Sequence, residues 1–193
     1  MTTTNEPDLD TGEEQGFLPG PLKSLIEWVV VLVVAVAVAL VFRAFLLQSF
    51  WIKSGSMETT LLIRDRVMVN RLSYRFGEPE RGQILVFKSV DPNAAAAGEE
   101  DLIKRVIGIE GDTIEGREGV VFVNGVALDE TYLDEGQYTN DFGPIVVEPD
   151  HLWLMGDNRV RSSDSRYFGQ VPVDNVIGRA FFLYWPLGRA GTP

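Results

Sequence analysis

One stretch limits what this chain can fold into: from Leu25 to Leu47 the sequence is almost wholly apolar, interrupted only by Glu27 and Arg43. The run is about as long as the roughly 20 residues that a helix needs to cross the hydrocarbon core of a bilayer. A helix that packs in a soluble core normally keeps one polar face, and this run of valine and alanine has none. The sequence therefore predicts a membrane-spanning helix.

The residues before this run predict a tail without a fixed fold. Residues 1–20 contain five acidic side chains, no lysine or arginine and few large apolar residues, which is typical of disordered segments. A cleaved secretory signal would instead begin with basic residues. We expect an acidic disordered tail over residues 1–22, a transmembrane anchor over residues 23–48 and a β-rich domain over residues 49–193.

The composition excludes several classes of function. The formal net charge of −11 argues against a nucleic-acid partner, because nucleic acids require a concentrated basic surface. The chain has no cysteine and a single histidine, His151. Disulfides and thiol nucleophiles are therefore excluded, and too few of the usual zinc ligands remain for a zinc site. We expect no metal and no other cofactor.

After the apolar run the pattern predicts a mainly β domain with antiparallel sheets. Short apolar runs alternate with turn residues, and no second long helical period follows,. Val120–Val123 leads into Asn124-Gly125, a strong two-residue hairpin signal. Two polar stretches, Asp91–Asp101 and Tyr132–Gly143, predict surface loops. The other runs that we interpret as strands are Arg66–Asn70, Ile84–Phe87, Leu102–Ile109, Ile145–Val147, Leu152–Met155 and Val176–Trp185.

Two serines in Ser54-Gly55-Ser56-Met57 follow the apolar run closely and are candidate nucleophiles beside a membrane. Such a serine needs a base, either His151 or a lysine in an apolar site that disfavours its charged form. Of the four lysines, only Lys104 is embedded in an apolar strand. Alternation places Lys104 on the same strand face as Leu102 and Val106 without showing which face is buried. The alternative is an edge-strand lysine that discourages aggregation.

A third polar cluster covers Gly156–Arg159 and continues through Ser162–Arg166. Small polar and charged residues at this density are typical of a structured loop with internal hydrogen bonds. Two interpretations remain open from the residues alone. The loop is either an exposed turn with a surface ion pair between Asp164 and Arg166, or a structure that orders the catalytic lysine from beside it.

Five segments follow one another in order after the apolar run: Ser54–Leu61, Arg66–Tyr74, Arg81–Phe87, Ile103–Asp112 and Gly156–Val171. Together they resemble the type I signal peptidases, which are membrane-anchored serine–lysine proteases that remove signal peptides from exported proteins. The resemblance covers most of residues 43–185. It implies a mainly β catalytic domain with one N-terminal transmembrane helix.

The resemblance also implies a role for individual residues. Ser56 corresponds to the nucleophile of the family, and Lys104 corresponds to its general base. The backbone N–H of Ser56 and the hydroxyl of Ser54 correspond to the donors that hold the oxyanion. Ser162 corresponds to the serine that orients the lysine.

Further roles that the resemblance implies concern the fold and the substrate. Asp164 and Arg166 correspond to a structural ion pair. The implied substrate is the signal peptide of an exported preprotein, bound as an extended segment with small residues such as alanine at P1 and P3. The residues implied to contact it are Phe50, Ile52, Lys53, Asp101, Leu102 and Ile103.

The sequence departs from the family pattern beside the serines. Lys53 stands where the family usually has proline, and Glu58-Thr59-Thr60 stands where proline and threonine usually follow the methionine. Proline would stiffen the segment, so these changes bear on its rigidity and on subsite preference. Arg161 replaces the asparagine that is common before Ser162.

Two alternatives to a signal peptidase follow from the same features. The first is a catalytically inactive, membrane-anchored β scaffold or binding module of this fold, which the missing prolines permit. The second is a self-cleaving repressor, which also uses a serine–lysine dyad but would carry a DNA-binding module instead of an anchor. The intact Ser56, Lys104 and Ser162 argue against an inactive protein.

The charge pattern and the family resemblance predict opposite orientations in the membrane. Lys23 precedes the apolar run, whereas Lys53, Arg64 and Arg66 follow it closely, so the charge bias alone predicts a cytoplasmic domain. The resemblance implies the opposite: a single-pass protein of the cell membrane, with its catalytic domain on the outer face where signal peptides emerge. We follow the resemblance, and we expect a lipid bilayer as partner and a protein that functions as a monomer.

Overall fold

The computed structural model describes residues 20–74, 77–91, 98 and 100–193. Two compact units divide between Val41 and Phe42. Most of helix α1 (Gly20–Leu46) belongs to the first unit, and the strands belong to the second. Helix α1 begins before the predicted anchor and ends before residue 48, because Leu47 already belongs to the first strand. Residues 1–19 of the predicted tail lie outside the described residues, and residues 20–22 belong to helix α1.

The apolar run is helical, as its length and composition predict. The stretch Leu22–Leu40 has a mean hydropathy of 2.3, and no share of its most apolar window is buried within the protein. Valine-rich sequence is a moderate helix former in water. In lipid, however, a helix pairs every backbone polar group internally, which an isolated strand cannot do. Helix α1 is therefore long and apolar enough to cross a membrane.

Eleven strands lie in the part of the chain that the structure describes, together with one short helix, α2 (Ser165–Phe168). Two 3₁₀ turns cover Val173–Asn175 and Leu187–Arg189. The strands are β1 (Leu47–Trp51), β2 (Arg66–Asn70), β3 (Ile84–Lys88), β4 (Asp101–Gly108), β5 (Thr113–Arg117), β6 (Val120–Val123), β7 (Val126–Ala127), β8 (Phe142–Val146), β9 (His151–Met155), β10 (Val171–Pro172) and β11 (Val176–Trp185).

The strands form two antiparallel sheets, which confirms the predicted fold class. The larger sheet has the order β1-β2-β11-β3-β4-β9-β10, and the smaller one has the order β7-β6-β5-β8. Strand β4 lies inside the larger sheet, where Lys104 pairs with Leu85 of β3. The edge-strand interpretation of Lys104 is therefore wrong.

The predicted hairpin between β6 and β7 is present. Asn124 and Gly125 have φ angles of 54° and 77°, the left-handed values that a two-residue type I′ turn requires at both positions. Val123 pairs with Val126 across the turn. Only asparagine, aspartate and glycine adopt such angles at low cost, so the dipeptide fixes the register of this hairpin.

Both faces of the central strands are covered by apolar clusters. Val106 of β4 packs in a cluster on one face, with Leu85 and Leu154. Ile107 packs in a cluster on the other face, with Trp153 and residues of the smaller sheet. Because side chains alternate along a strand, cover on both faces buries every residue from Lys104 to Gly108. The centre of the larger sheet therefore excludes water on both sides of Lys104.

Candidate active site

The two candidate serines lie in a loop between β1 and β2, called here the serine loop (residues 52–65). Two hydrogen bonds close its neck: the N–H of Ile52 donates to the carbonyl of Asp65, and the N–H of Arg64 donates to the carbonyl of Ile52, both at 2.9 Å. Met57 and Leu61 are fully buried in a core cluster with strands β2, β3 and β11. Burial of each such side chain contributes about 2 kcal/mol, so the loop is anchored at its middle as well as at its neck.

Ser56 and Lys104 meet in a buried site. Lys104 Nζ donates a hydrogen bond to Ser56 Oγ at 2.7 Å, and the two residues are 2% and 6% exposed, lysine first. The only histidine is engaged elsewhere, since His151 Nδ1 lies 2.8 Å from the carbonyl oxygen of Pro149. The lysine, and not the histidine, is therefore the basic group beside the candidate nucleophile.

An open groove of about 300 Å³ runs along β1 and the start of β4. Its lining includes Ser54, which is exposed, and Val86 on its floor, which is buried. The six residues predicted to contact substrate all line this groove, and they are Phe50, Ile52, Lys53, Asp101, Leu102 and Ile103. Most of the loop predicted at Asp91–Asp101 lies outside the described residues.

The loop after β9 holds the serine loop through its backbone. The N–H of Asn158 donates to the carbonyl of Ser56 at 3.0 Å, and the side-chain amide of Asn158 donates to the carbonyl of Gly55 at 3.0 Å. Gly156 lies so close that a Cβ there would collide with the carbonyl oxygen of Ser56 and with the hydroxyl of Ser162. A residue with a side chain at position 156 would push these groups apart.

Ser162 is buried beside Gly156. Its hydroxyl makes no hydrogen bond within the part of the chain that the structure describes. Its role in orienting Lys104 therefore stays a prediction.

Asp164 and Arg166 form an ion pair that is not on the surface. The carboxylate and the guanidinium are 2.8 Å apart, and their side chains are 0% and 5% exposed. Asp164 also accepts a hydrogen bond from the N–H of Gly156 at 3.0 Å, and Arg166 donates to the carbonyl of Arg159 at 2.8 Å. The interpretation as an exposed turn is therefore wrong, because the pair is buried and bonds to the backbone of the loop that contacts Ser56.

Asp157 joins the serine loop to the strand that carries Lys104. Its carboxylate accepts two hydrogen bonds from Arg105, at 2.9 and 2.7 Å. It accepts a third from the hydroxyl of Thr60 at 2.6 Å. Arg105 follows Lys104 in β4, and Thr60 follows Ser56 by four positions, so one buried carboxylate is bonded to both chain segments that carry the candidate dyad.

A segment between β7 and β8 contributes residues to the site that the sequence did not reveal. Glu130 pairs with the buried guanidinium of Arg159, and the ring of Tyr132 lies 4.0 Å from the guanidinium carbon of Arg105. Gln137 and Thr139 accept hydrogen bonds from Arg159 at 2.9 and 3.1 Å. The only signal in the sequence is the polar stretch at Tyr132–Gly143, which predicts a loop but not its partners.

The electrostatics of this cluster follow from burial and from the Glu130 carboxylate. Burial works to lower the pKa of Arg159, but the hydrogen bond and charge of Glu130 outweigh it and hold that pKa above its usual value. Burial, and then the charge of Glu130, raises the pKa of Tyr132. Arg159 therefore stays a cation and Tyr132 stays a neutral phenol across the physiological range. In the described residues, no three acidic or histidine side chains lie close enough together to hold a metal ion.

Residues 25–185 of this chain match the family described as "Signal peptidase, peptidase S26". The chain belongs to this signal peptidase family. The resemblance inferred from the sequence is thereby confirmed, and the protein is a membrane-anchored peptidase of this family by its sequence and its apolar helix.

Two relatives compared by sequence support the same family assignment. The probable signal peptidase I-2 of Synechocystis sp. is 42% identical over 83% of this chain and 73% of its own length. The signal peptidase I of Leptolyngbya laminosa is 38% identical over 86% and 83% of the two chains. A crystal structure of a signal peptidase I from Enterococcus faecalis V583 has 32% sequence identity and a TM-score of 0.45, over 53% of this chain and 97% of that one.

Proposed function

We propose that this protein is an endopeptidase that removes N-terminal signal peptides from exported preproteins and cleaves after small residues of the Ala-x-Ala type. The observation that carries the proposal is the contact of 2.7 Å between Lys104 Nζ and Ser56 Oγ, in a chain of the signal peptidase family. Relatives over most of the chain carry the name signal peptidase I.

In the proposed reaction, Ser56 is the nucleophile and Lys104 is the general base. The lysine must be neutral to accept a proton, and its burial in the larger sheet disfavours the charged ammonium. Lys104 Nζ removes the proton of Ser56 Oγ, which attacks the carbonyl carbon of the scissile peptide bond. The resulting ammonium then protonates the leaving amine, and water hydrolyses the acyl-enzyme.

The oxyanion of the tetrahedral intermediate is proposed to be held by the backbone N–H of Ser56 and the hydroxyl of Ser54. Loss of one such donor typically lowers kcat by about 10²–10³-fold. Ser162 is proposed to orient Lys104. Its burial beside Gly156, in the loop that bonds to the carbonyl of Ser56, supports this role.

The groove along β1 and β4 supports an extended substrate with small side chains. Phe50 and Ile103 pack against the core cluster below the groove, and Val86 is buried on its floor. The core therefore closes the groove from below and leaves only shallow space for side chains. Main-chain hydrogen bonds to an added strand would supply affinity, and these shallow pockets would supply specificity.

For the whole chain we propose a single-pass protein of the cell membrane. Residues 1–22 would form the tail, residues 23–48 the anchor and residues 49–193 a catalytic domain on the outer face. The length and hydropathy of Leu22–Leu40 support the anchor. The lipid bilayer and the signal peptides of preproteins would be the partners, and neither nucleic acid, a second copy of the chain nor a cofactor would be needed.

Cleavage of a preprotein by purified variants tests the dyad. Ser56→Ala and Lys104→Ala are each expected to abolish turnover, because the first removes the nucleophile and the second removes its base. His151→Ala is the matched control and is expected to keep full activity. Turnover retained in either dyad variant, or lost in His151→Ala, would contradict the assignment.

An inactive scaffold of the same fold is the competing function, and covalent labelling separates the two. An active-site-directed acylating probe is expected to modify Ser56 of the full chain and to leave Ser56→Ala unmodified. Reaction at Ser56 also requires the lysine, so the probe is expected to modify Ser56 of Lys104→Ala far more slowly than Ser56 of the wild type. A folded protein that takes up no probe would favour the scaffold.

A further inference from the structure

The segment after β11 folds back onto that strand. Leu183 and Gly191 exchange two backbone hydrogen bonds, at 2.8 and 2.9 Å. Between them lies the 3₁₀ turn that ends at Arg189, whose N–H donates to the carbonyl of Pro186 at 2.9 Å. Strand β11 pairs with β2, the strand that directly follows the serine loop. The backbone at Arg189 is thereby fixed on the sheet that supports this loop.

The guanidinium of Arg189 reaches three acceptors, and all three belong to the serine loop. Nη1 contacts the carboxylate of Asp65 at 2.6 Å. Nη2 donates to the carbonyl of Thr59 at 3.2 Å and to the carbonyl of Thr60 at 3.1 Å. A planar guanidinium directs its donors in a fixed geometry, so these contacts fix the distance between the neck of the loop and its middle.

Asp65 is the residue through which Arg189 acts on the neck. Its carboxylate is buried and also accepts the N–H of Leu62 at 2.8 Å. Its carbonyl accepts the N–H of Ile52 at 2.9 Å. Without the arginine, a buried carboxylate would lose its cation, and a buried charge without a partner is strongly unfavourable. The loop would have to rearrange to return this carboxylate to water.

Thr60 connects Arg189 to the other contacts of the serine loop. Its carbonyl accepts from Arg189, while its hydroxyl donates to Asp157 at 2.6 Å. Asp157 is bonded in turn to Arg105, the neighbour of Lys104 in β4. A continuous series of hydrogen bonds therefore runs from the segment after β11, through the serine loop, to the strand of the proposed base.

We propose that Arg189 is a positioning residue for the nucleophile. It holds residues 59–65 so that Ser56 Oγ stays within hydrogen-bond distance of Lys104 Nζ. Threonine at position 59 leaves φ free where a proline ring would fix it, so this stretch depends on contacts from outside the loop. The proposal rests on the proposed function for the chemistry of Ser56, but the hold on the loop does not depend on that chemistry.

A second arginine that pairs with a buried carboxylate provides a matched control. Arg81 forms two hydrogen bonds to the buried carboxylate of Asp112, at 2.8 and 2.7 Å. Asp112 also accepts a backbone N–H, from Ile109 at 2.9 Å, as Asp65 does from Leu62. The Arg81 side chain is 45% exposed and that of Arg189 is 31% exposed. Both arginines thus pair with a buried carboxylate that also accepts a backbone N–H, but only Arg189 bonds to the serine loop. Asp112 has one further donor, the side-chain amide of Asn124 at 2.9 Å.

The kinetic test compares full-length Arg189→Ala, Arg189→Lys and Arg81→Ala. We expect Arg189→Ala to lower kcat for a preprotein by about tenfold to hundredfold, and to lower the rate at which the probe acylates Ser56 by the same factor. Small displacements of a reacting group have effects of about that size. KM is expected to change much less than kcat. Arg189→Lys should recover part of the lost activity, since the lysine ammonium can pair with Asp65. In Arg81→Ala, the probe should acylate Ser56 at the wild-type rate.

Hydrogen exchange measures the hold on the loop directly. The amides of Leu61, Leu62 and Asp65 donate hydrogen bonds within the loop. We expect them to exchange at least about tenfold faster in Arg189→Ala, since exchange tracks local opening, and to be unchanged in Arg81→Ala. The same comparison in a Ser56→Ala background needs no activity.

The outcomes separate this proposal from the proposed function. Wild-type acylation in Arg189→Ala, an equal loss in Arg189→Ala and Arg81→Ala, or unchanged exchange in the loop would each overturn the positioning role. If wild-type protein takes up no probe at Ser56, the proposed function fails. The exchange experiment then still decides whether Arg189 holds the loop.

Discussion

Gly156 is the residue at which the site tolerates the least change. A Cβ there would collide with the carbonyl of Ser56 and the hydroxyl of Ser162. We expect Gly156→Ala to lower kcat by about 10²-fold or more through displacement of the nucleophile, while the β-sheet circular dichroism spectrum stays that of the wild type. Gly188→Ala is the matched control, because a Cβ at that position meets open space. Equal activity in the two variants would contradict this prediction.

The charge of Asp112 stabilises the fold, and this contribution to the free energy of unfolding is lost at acid pH. Burial works to raise the pKa of this carboxyl, but hydrogen bonds from Arg81, from the N–H of Ile109 and from Asn124 outweigh it and hold the pKa below the ordinary value of 3.8. A carboxyl whose pKa is lowered on folding stabilises the protein above its unfolded pKa, and this contribution is lost as the pH falls through the folded value.

The variant Asp112→Asn tests this dependence. We expect it to be less stable than the wild type at pH 7. The difference should begin to shrink below about pH 4, where the unfolded chain takes up the proton, and should be lost as the pH falls through the lower pKa of the folded carboxyl. Denaturant midpoints measured across this range provide the comparison. A difference that stays constant with pH would show that the charge of Asp112 contributes nothing.

At the scale of elements, the segment between β7 and β8 supports the site from the smaller sheet. Glu130 neutralises the buried Arg159, and Arg159 donates to the carbonyl of Gly156 at 3.1 Å. Removal of one partner from a buried ion pair typically costs about 3–5 kcal/mol. We therefore expect Glu130→Gln to lower the free energy of unfolding by that order, as measured by urea denaturation.

Another glutamate–arginine pair provides the control for Glu130. Glu115 and Arg117 are 3.4 Å apart, and both side chains are substantially exposed. Exposed pairs contribute less than about 1 kcal/mol, so Glu115→Gln should leave the unfolding midpoint nearly unchanged. If both variants lose the same stability, the pairing of Glu130 with Arg159 is not special.

The elements that could be predicted are those with local signals. Runs such as Arg66–Asn70 and Val176–Trp185 coincide with β2 and β11, because apolar alternation and flanking turns are properties of the run itself. Strand β5 has the sequence Thr-Ile-Glu-Gly-Arg, which carries no such pattern. Its place in the smaller sheet comes from pairing with β6 and β8, and the sequence of β5 alone does not encode that pairing.

In the candidate site, too, residues with a local signal could be predicted and residues held by distant partners could not. The two serines after the apolar run and Lys104 could be proposed from the residues, because the chain has no cysteine, one histidine and only one lysine in an apolar strand. The choice of Ser56 as nucleophile came from the family resemblance. Alternation could not show whether Lys104 or Arg105 is buried, and in the structure both are. The reason is a partner distant in sequence, since Arg105 is neutralised by Asp157. Contacts of this kind, including those of Glu130 and Arg189, depend on the completed topology.

At the scale of the whole molecule, protease accessibility tests the proposed orientation in the membrane. The proposed function requires the outer face, whereas the basic residues after the apolar run favour the inner one. We expect a protease added to intact cells to digest residues after about position 50 and to leave the tail protected. Digestion that occurs only after lysis would support the inner face. A cytoplasmic protein of known location serves as the control for lysis.

The serine loop and the strand of Lys104 also differ in how firmly they are held. Lys104 lies in the interior of a seven-stranded sheet, whereas the serine loop belongs to no strand and several of its residues are exposed. Segments of this kind open at a lower free energy than the sheet that supports them. In rising denaturant, cleavage activity is therefore expected to disappear before the β-sheet circular dichroism signal changes. The enzyme would then have a range of conditions in which it is folded, inactive and able to recover on dilution.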